Sequence, residues 1–286
     1  MCTTCGCSDH APARVTDPAR QDAAGHDHDH GPDHHDHGHD HNAHGHGGHS
    51  HAHESEDHVH TGPERRTLVL EQAVLAKNDL LAARNRAWFD ERGILAVNLM
   101  SSPGSGKTTL LERTIRDLSG EFSLSVVEGD QETLLDAERI RATGCRVVQV
   151  NTGAGCHLDA DMLARGLGVL QPPEHSIVMI ENVGNLVCPA MFDLGERAKV
   201  VIISVTEGAD KPLKYPQMFR AGELMLVNKI DLLPYVTFDV AQCATYARQV
   251  NPGLEVLEVS AIRGDGLDRW YDWLRHKTGR EPAPSA

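Results

Sequence analysis

The sequence predicts an α/β protein with a mostly parallel, doubly wound sheet, preceded by a disordered tail rich in cysteine and histidine. Three observations lead to this prediction. Residues 63–286 alternate continuous Val/Ile/Leu runs with helical patterns, which is typical of parallel strands covered by helices on both faces. A glycine-rich turn joins the first run to the helix after it. Residues 1–62 hold 16 of the 19 histidines and too few apolar residues to form a core.

The strands and helices of the globular part follow from the spacing of its apolar side chains. A helical spacing over residues 64–92 ends at Gly93. Strand-like apolar runs follow at 94–100, 124–127, 146–150, 177–180, 200–205, 224–227 and 256–259. Helical patterns lie between them near 107–119, 132–143, 158–170, 239–250 and 266–276. Because ligands of such sheets bind at the carboxyl ends of the strands, we expect functional residues in the turns that follow them.

Charge balance and cysteine count exclude several classes of protein. The chain has 286 residues, with 27 Lys+Arg against 41 Asp+Glu and a formal net charge of −14, which argues against nucleic-acid binding. No stretch approaches about 18 apolar residues, and the N-terminus lacks an apolar signal region, so we expect neither a membrane span nor export. The seven cysteines are sparse and odd in number, which disfavours a disulfide framework and favours reduced thiols in the cytoplasm.

The tail, residues 1–62, holds two patterns typical of metal binding. Cys2, Cys5 and Cys7 (the N-terminal cysteines) can close around one ion, with the α-amine as a further donor. Such a thiolate set suits Zn(II), Cu(I) or Ni(II). Between residues 26 and 60, histidines alternate with Asp and Gly. Most of these imidazoles are neutral at pH 7, so we expect a mobile, multi-site tract of moderate metal affinity.

A phosphate-binding loop stands in the required strand–turn–helix context. The segment SSPGSGKTT begins at Ser101, which occupies the position of the usual first glycine. Gly104 and Gly106 let backbone N–H groups converge on phosphate oxygens at a helix N-terminus. Lys107 should reach the β- and γ-phosphates, and the Thr108 hydroxyl should bind Mg²⁺. The expected nucleotide-binding residues of this loop are Gly104, Ser105, Gly106, Lys107, Thr108 and Thr109.

A second loop predicts that the bound base is guanine. Asn228, Lys229 and Asp231 belong to an NKID segment that follows the strand-like run 224–227. The Asp231 carboxylate can accept hydrogen bonds from guanine N1–H and the N2 amine, which adenine does not offer. The Lys229 stem can lie over the ring, while Asn228 connects this loop to the phosphate loop. Ser260 and Ala261 resemble the companion loop, whose backbone N–H reads the guanine oxygen.

Two carboxylates end strands beside the phosphate loop. Asp130 follows the run 124–127, and Glu181 follows the run 177–180. Carboxylates in this position are natural partners of Mg²⁺ and of the attacking water, although strand-end acids also commonly cap the next helix. We therefore expect Lys107, Thr108, Asp130 and Glu181 to be the catalytic residues.

A second candidate metal site lies in the globular part. Cys156, His157 and Cys188 (the domain triad) follow the ends of two strands and so face the nucleotide side of the sheet. Two thiolates and one imidazole leave a tetrahedral site with one open position, and a dimer could double the ligands into a shared site. The remaining cysteines and histidines of this part are expected to be structural: Cys145 and Cys243 in the core, His175 and His276 at the surface.

Taken together, these segments resemble the HypB family of hydrogenase nickel-incorporation GTPases. The resemblance covers nearly the whole chain, and the blocks NTGAGCHLDA and ENVGNLVCPA are its most specific part, because generic GTPases lack them. It implies a P-loop GTPase that dimerises with GTP and matures a metalloenzyme. It further implies that the N-terminal cysteines form the tight nickel site and that the domain triad binds nickel or zinc at the dimer interface. The implied partners are a HypA-type nickel chaperone and the precursor of the NiFe-hydrogenase large subunit.

Two alternatives remain open. A urease accessory GTPase usually shows Cys-Pro-His, whereas Ala190 follows Cys188 and Pro189 here, and it lacks the cysteine-rich opening. A nickel storage protein would use the tail alone, but intact Lys107 and Asp231 argue against a dead nucleotide site. The sequence shows no arginine finger and no water-positioning glutamine, so we expect slow intrinsic GTP turnover.

Overall fold

The computed structural model describes residues 14–17, 63–130, 135–153 and 155–279, and within this part eight strands form one sheet. The order across the sheet is β1-β4-β3-β5-β2-β6-β7-β8, and every neighbouring pair is parallel except β1 with β4. The strands are β1 (Arg14–Thr16), β2 (Leu95–Ser101), β3 (Leu124–Asp130), β4 (Arg146–Asn151), β5 (Ile177–Glu181), β6 (Ala198–Ser204), β7 (Leu224–Asn228) and β8 (Glu255–Glu258).

Helices cover both faces of this sheet, so the predicted doubly wound architecture is confirmed. They are α1 (Pro63–Glu91), α2 (Lys107–Leu118), α3 (Leu135–Arg141), α4 (Ala160–Leu170), α5 (Cys188–Met191), α6 (Lys211–Lys214), α7 (Pro216–Ala221), α8 (Val240–Val250) and α9 (Leu267–Lys277), with a 3₁₀ helix at Ile230–Tyr235. Helices α2, α3 and α9 bury one face of the sheet. Helices α1 and α4 cover half of the other face, and α7 and α8 cover the rest.

The strands extend past the apolar runs that predict them. β3, for example, runs to Asp130, and β5 ends on Glu181. Backbone pairing continues beyond the last apolar side chain because the ladder needs only N–H and C=O groups. Polar side chains are thereby held rigidly at the carboxyl edge of the sheet, where the predicted functional residues lie.

One short strand lies within the segment for which the sequence predicts no ordered structure. Arg14–Thr16 pairs with the outer edge of β4, so these three residues are an exception to the disorder predicted for residues 1–62. Val15 packs on the cluster under α1 and α4. Three residues are too few for a periodic pattern, which is why the strand escapes sequence analysis. The N-terminal cysteines and the histidine tract 26–60 lie outside the described residues.

Buried asparagines connect α1 to the loops around the domain triad. Asn85 Nδ2 donates to the Ala160 carbonyl at 2.8 Å and to the Leu194 carbonyl at 3.0 Å. Asn78 Oδ1 accepts from the Ala160 N–H at 2.9 Å. These bonds fix the start of α4 and the segment after α5.

Among the described residues, no helix is both long enough and apolar enough to span a membrane.

Candidate nucleotide site and metal centre

The turn between β2 and α2 has the backbone of a phosphate-binding loop. Gly104 and Gly106 have φ angles of 73° and 92°, in the left-handed region that favours glycine. A side chain at Gly106 would bring its Cβ within 2.7 Å of Asn228 Nδ2, so the position requires glycine. Helix α2 begins directly after this residue and directs its first N–H groups toward the turn. The turn therefore offers an anion site at the carboxyl end of β2.

Lys107 is held inside this loop by Ser101, the residue that departs from the usual phosphate-loop motif. Its Nζ donates to Ser101 Oγ at 2.9 Å, and Ser101 Oγ donates to the Ser102 carbonyl at 2.7 Å. Lys107 and Ser101 are both buried. A serine at the first position thus leaves the loop intact and provides the lysine with a partner.

Asn228 joins the phosphate loop to the base loop. Its Nδ2 donates to the Ser105 carbonyl at 2.9 Å, while its Oδ1 accepts from the N–H groups of Lys229 at 2.8 Å and Ala261 at 3.2 Å. Lys229 has a φ of 63°, and its Nζ donates to the Gly104 carbonyl at 2.7 Å. The lysine stem consequently crosses between the two loops.

The second base loop orients the Asp231 carboxylate. Ser260 Oγ donates to Asp231 Oδ1 at 2.6 Å and accepts from the Arg263 N–H at 3.1 Å. Ser260 is fully buried, whereas Asp231 is half-buried at the start of the 3₁₀ helix. Residues separated by 29 positions thus form one surface, with an acceptor that suits guanine.

A buried carboxylate meets the phosphate loop at the predicted magnesium position. Thr108 Oγ1 donates to Glu181 Oε1 at 2.7 Å, and within the described chain Glu181 Oε2 is buried with no hydrogen-bond partner. Burial raises the pKa of Glu181. An unsatisfied buried carboxylate beside a threonine hydroxyl and a phosphate loop fits a hydrated Mg²⁺ ion. Asp130 ends the neighbouring strand β3 at the same edge.

Glu128 is a further acidic residue at this site, and sequence analysis missed it. It pairs with Glu181 across the β3–β5 ladder, it is buried, and its Oε2 atom has no partner among the described residues. Burial, together with the nearby Glu181 charge, raises the pKa of Glu128 to about 9. The available signal was an acid directly after an apolar run, but only the strand order places it beside Glu181.

The domain triad is assembled in space. The ligand atoms of Cys156, His157 and Cys188 lie within 4.8 Å of one another, and all three residues are half-buried. The His157 ring stacks on Phe192 with centroids 3.8 Å apart, and burial lowers its pKa, which favours the neutral imidazole that binds metals. The set can therefore supply two sulfur ligands and one nitrogen ligand, leaving one tetrahedral position open.

Two asparagines connect the domain triad to the candidate nucleotide site. Asn182, next to Glu181, accepts hydrogen bonds through Oδ1 from the N–H groups of Leu158 at 3.1 Å and Val183 at 3.0 Å. Asn185 Nδ2 donates to the Cys156 carbonyl at 3.4 Å. The segment after β5 thereby contacts both the predicted magnesium position and the loop that carries Cys156 and His157.

The other described cysteines and histidines are not part of the domain triad. Cys243 is buried and Cys145 is half-buried, and burial raises the pKa of each thiol to about 12. His175 and His276 are exposed.

Arg139, which sequence analysis did not single out, donates from Nη2 to Thr109 Oγ1 at 3.2 Å beside the phosphate loop.

A phosphate loop at the end of β2, joined to a base loop at the end of β7, places this molecule among the P-loop GTPases. A model of the CobW/HypB/UreG nucleotide-binding domain matches residues 95–258. The chain belongs to this family and, within it, to the hydrogenase maturation factors HypB.

Several relatives support this assignment. HypB of Escherichia coli (strain K12) is 58% identical over 211 residues, which cover 74% of this chain and 73% of the relative. HypB of Archaeoglobus fulgidus has a crystal structure with a TM-score of 0.67 and 41% identity, covering 71% of this chain and 100% of that chain. HypB of Helicobacter pylori, crystallised in complex with nickel, gives a TM-score of 0.67 at 35% identity and covers 73% of this chain and 100% of its own.

Proposed function

We propose that this protein hydrolyses GTP and delivers Ni(II) during maturation of NiFe-hydrogenase, with its nucleotide state coupled to metal binding and dimerisation. The observation that carries the proposal is the segment from Glu181 to Cys188. At one end Glu181 accepts a hydrogen bond from Thr108, and at the other end Cys188 joins the domain triad. A change at the γ-phosphate therefore reaches a metal ligand through a short segment of one chain.

GTP hydrolysis would use the residues at the carboxyl edge of β2, β3 and β5. Lys107 and the N-terminus of α2 would bind and orient the phosphates. Thr108 and Glu181 would hold Mg²⁺, which when bound neutralises charge on the phosphates. Asp130, which ends β3 at the same edge, would orient the attacking water. Because the sequence pattern supplies no arginine finger, intrinsic turnover should be slow.

Dimerisation is supported by the surface around the domain triad. Val187 and Met191, on either side of Cys188 in the chain, are 39% and 47% exposed, so two large apolar side chains lie at the surface beside the domain triad. A second copy of the chain would cover them and could complete the metal coordination. In this proposal the N-terminal cysteines hold nickel tightly, Zn²⁺ competes at the domain triad, and a HypA-type chaperone and the hydrogenase large-subunit precursor are the partners.

The test is a nickel titration in two nucleotide states. In a variant with Cys2, Cys5 and Cys7 replaced by serine and the tract histidines replaced by glutamine, the remaining site should bind Ni(II) with different affinity in GDP and in a non-hydrolysable GTP analogue. A 100-fold difference corresponds to about 2.7 kcal/mol, within ordinary allosteric coupling. The same variant with Lys107→Ala should lose the difference. Equal nickel affinities with GDP and with the GTP analogue, measured while Lys107 is still present, would contradict the proposal.

A further inference from the structure

Arg139 reaches from α3 to the first turn of α2, beside the phosphate loop. Its Nη2 donates to Thr109 Oγ1 at 3.2 Å. Two carboxylates hold the rest of the same guanidinium, because Nε lies 2.8 Å from Glu112 Oε1 and Nη1 lies 3.1 Å from Asp136 Oδ1. Each of the three guanidinium nitrogens thus has a partner, and these partners lie on two helices. The planar group is therefore fixed in its orientation toward Thr109.

The contact with Arg139 determines what the Thr109 hydroxyl can do. A guanidinium only donates hydrogen bonds, so Thr109 Oγ1 accepts here and its single hydrogen remains to be donated elsewhere. A threonine inside a helix commonly donates to the carbonyl four residues earlier, as Thr114 does at 2.8 Å. Among the described residues Thr109 forms no such bond, and the Ser105 carbonyl in that position accepts from Asn228 Nδ2 at 2.9 Å.

The Thr109 hydroxyl lies where the phosphates are expected to bind. The first backbone bond of α2 runs from the Leu110 N–H to the Gly106 carbonyl at 3.0 Å, so the N–H groups of residues 107–109 have no partner within the helix. Such N–H groups bind anions. The Arg139 charge acts at the same place: burial raises the pKa of Glu181, and Arg139 is among the cations that lower it. A nucleotide phosphate bound there would supply an acceptor for the Thr109 hydroxyl.

We propose that Arg139 is a positioning residue for the nucleotide: it holds the Thr109 hydroxyl so that the hydroxyl hydrogen is donated to a phosphate oxygen. The inference rests on the GTP binding that the proposed function requires. Arg139 acts through Thr109 and does not itself touch the nucleotide. The same guanidinium is bound to Asp136, so the occupied phosphate loop is joined to α3. By linkage, if Arg139 tightens nucleotide binding, bound nucleotide tightens the attachment of α3 by the same factor.

A double-mutant cycle on GDP affinity in the full chain tests this role. Thr109→Val removes the hydroxyl and should weaken GDP binding about 10-fold or more, because a hydrogen bond to a charged phosphate is lost. Arg139→Met keeps much of the side-chain length, removes the donors and should weaken GDP binding about fivefold in the original chain. In the Thr109→Val background, Arg139→Met should change the affinity less than about twofold, because no hydroxyl remains to be oriented.

The matched control is Arg116→Met. Arg116 also pairs with Glu112, at 3.5 Å, but lies two turns further along α2. Its loss removes one positive charge from the same carboxylate and should leave GDP affinity within about twofold. An equal loss of affinity on Arg139→Met with and without the Thr109 hydroxyl would overturn the proposal, because it would show that Arg139 does not act through Thr109.

A second measurement keeps Arg139 in place and so does not depend on how well its variant folds. Saturating GDP should slow amide hydrogen exchange of α3 about fivefold in the original chain and in Arg116→Met. In Thr109→Val, GDP should leave the exchange of α3 nearly unchanged. Exchange that GDP slows equally in the Thr109 variant would also overturn the proposal. Failure of the original chain to bind GDP would instead count against the proposed function.

Discussion

At the scale of single residues, we expect base selection to depend on the Asp231 carboxylate, whose Oδ1 accepts a hydrogen bond from Ser260 Oγ at 2.6 Å. Asp231→Asn should weaken GTP binding by about 10- to 100-fold and favour xanthosine triphosphate, because the amide presents a donor where guanine needs an acceptor. Direct titration with both nucleotides measures the change, with Asp272→Asn on α9 as the control. Unchanged GTP affinity in the Asp231 variant would contradict the guanine assignment.

The two glycines of the phosphate loop form a matched pair of positions. Both have positive φ, but a Cβ at Gly106 would lie 2.7 Å from Asn228 Nδ2, whereas nothing lies within 4 Å of a Cβ at Gly104. Gly106→Ala should therefore weaken nucleotide binding at least about 10-fold more than Gly104→Ala. Binding of a fluorescent GTP analogue gives the comparison, and equal losses would show that backbone strain alone matters.

At the scale of elements, the segment after β5 connects two sites through Asn182. Asn182→Ala removes the acceptor for the Leu158 and Val183 N–H groups, so nickel affinity at the domain triad should lose most of its dependence on nucleotide. Asn251→Ala, which removes side-chain hydrogen bonds to backbone carbonyls of α7 and of the turn after it, away from both sites, is the control for stability and should keep the dependence. If nickel affinity in the Asn182 variant still depends on the bound nucleotide, the connection between the two sites does not run through Asn182.

The ladder between β3 and β5 contains a buried carboxyl group that should make the stability of the fold depend on pH. Glu128 has a pKa of about 9 in the folded protein, above its ordinary value of 4.5. At pH values between these two pKa values, the carboxyl group is ionised in the unfolded chain but protonated in the folded chain. The free energy of unfolding therefore falls as pH rises. Without nucleotide or Mg²⁺, Glu128→Gln should raise the melting temperature by more than about 3 °C at pH 8 and much less at pH 5.

Glu138 is exposed on α3, and Glu138→Gln is the control for the loss of one negative charge. A melting temperature that changes equally at pH 5 and pH 8 in the Glu128 variant would show that the pKa of this side chain is not raised in the folded protein.

At the scale of the whole molecule, the histidine tract and the globular part should act separately. Replacing the histidines between residues 26 and 60 by glutamine keeps the chain length and should remove several bound nickel equivalents. GTP turnover should stay within about twofold, because the nucleotide loops are built from residues of the globular part. Changing the aspartates of the same tract to asparagine is the control and should cost fewer equivalents. A large fall in turnover would contradict this separation.

The order of strands β2 to β8, the six longer helices and the two nucleotide loops were predictable from the sequence, because each depends on neighbouring residues. The short helices α5, α6 and α7 were not predicted. The strand-like run before Ser101 and the glycines after it identify the phosphate loop within about ten positions. The same holds for Asn228 and Asp231 at the end of β7. The three residues of the domain triad were also recognisable as candidate ligands, because they are metal-binding residue types that follow strand ends.

Contacts between distant segments were decided only by the tertiary structure. Glu128 meets Glu181 because β3 and β5 are neighbours in the sheet, and Asn182 meets Leu158 because the turns after β4 and β5 lie on the same edge of it. β1 depends on a free edge of β4 that no local pattern reveals. Side chains far apart in sequence come together only when strand order and register are set, and these are properties of the packed sheet.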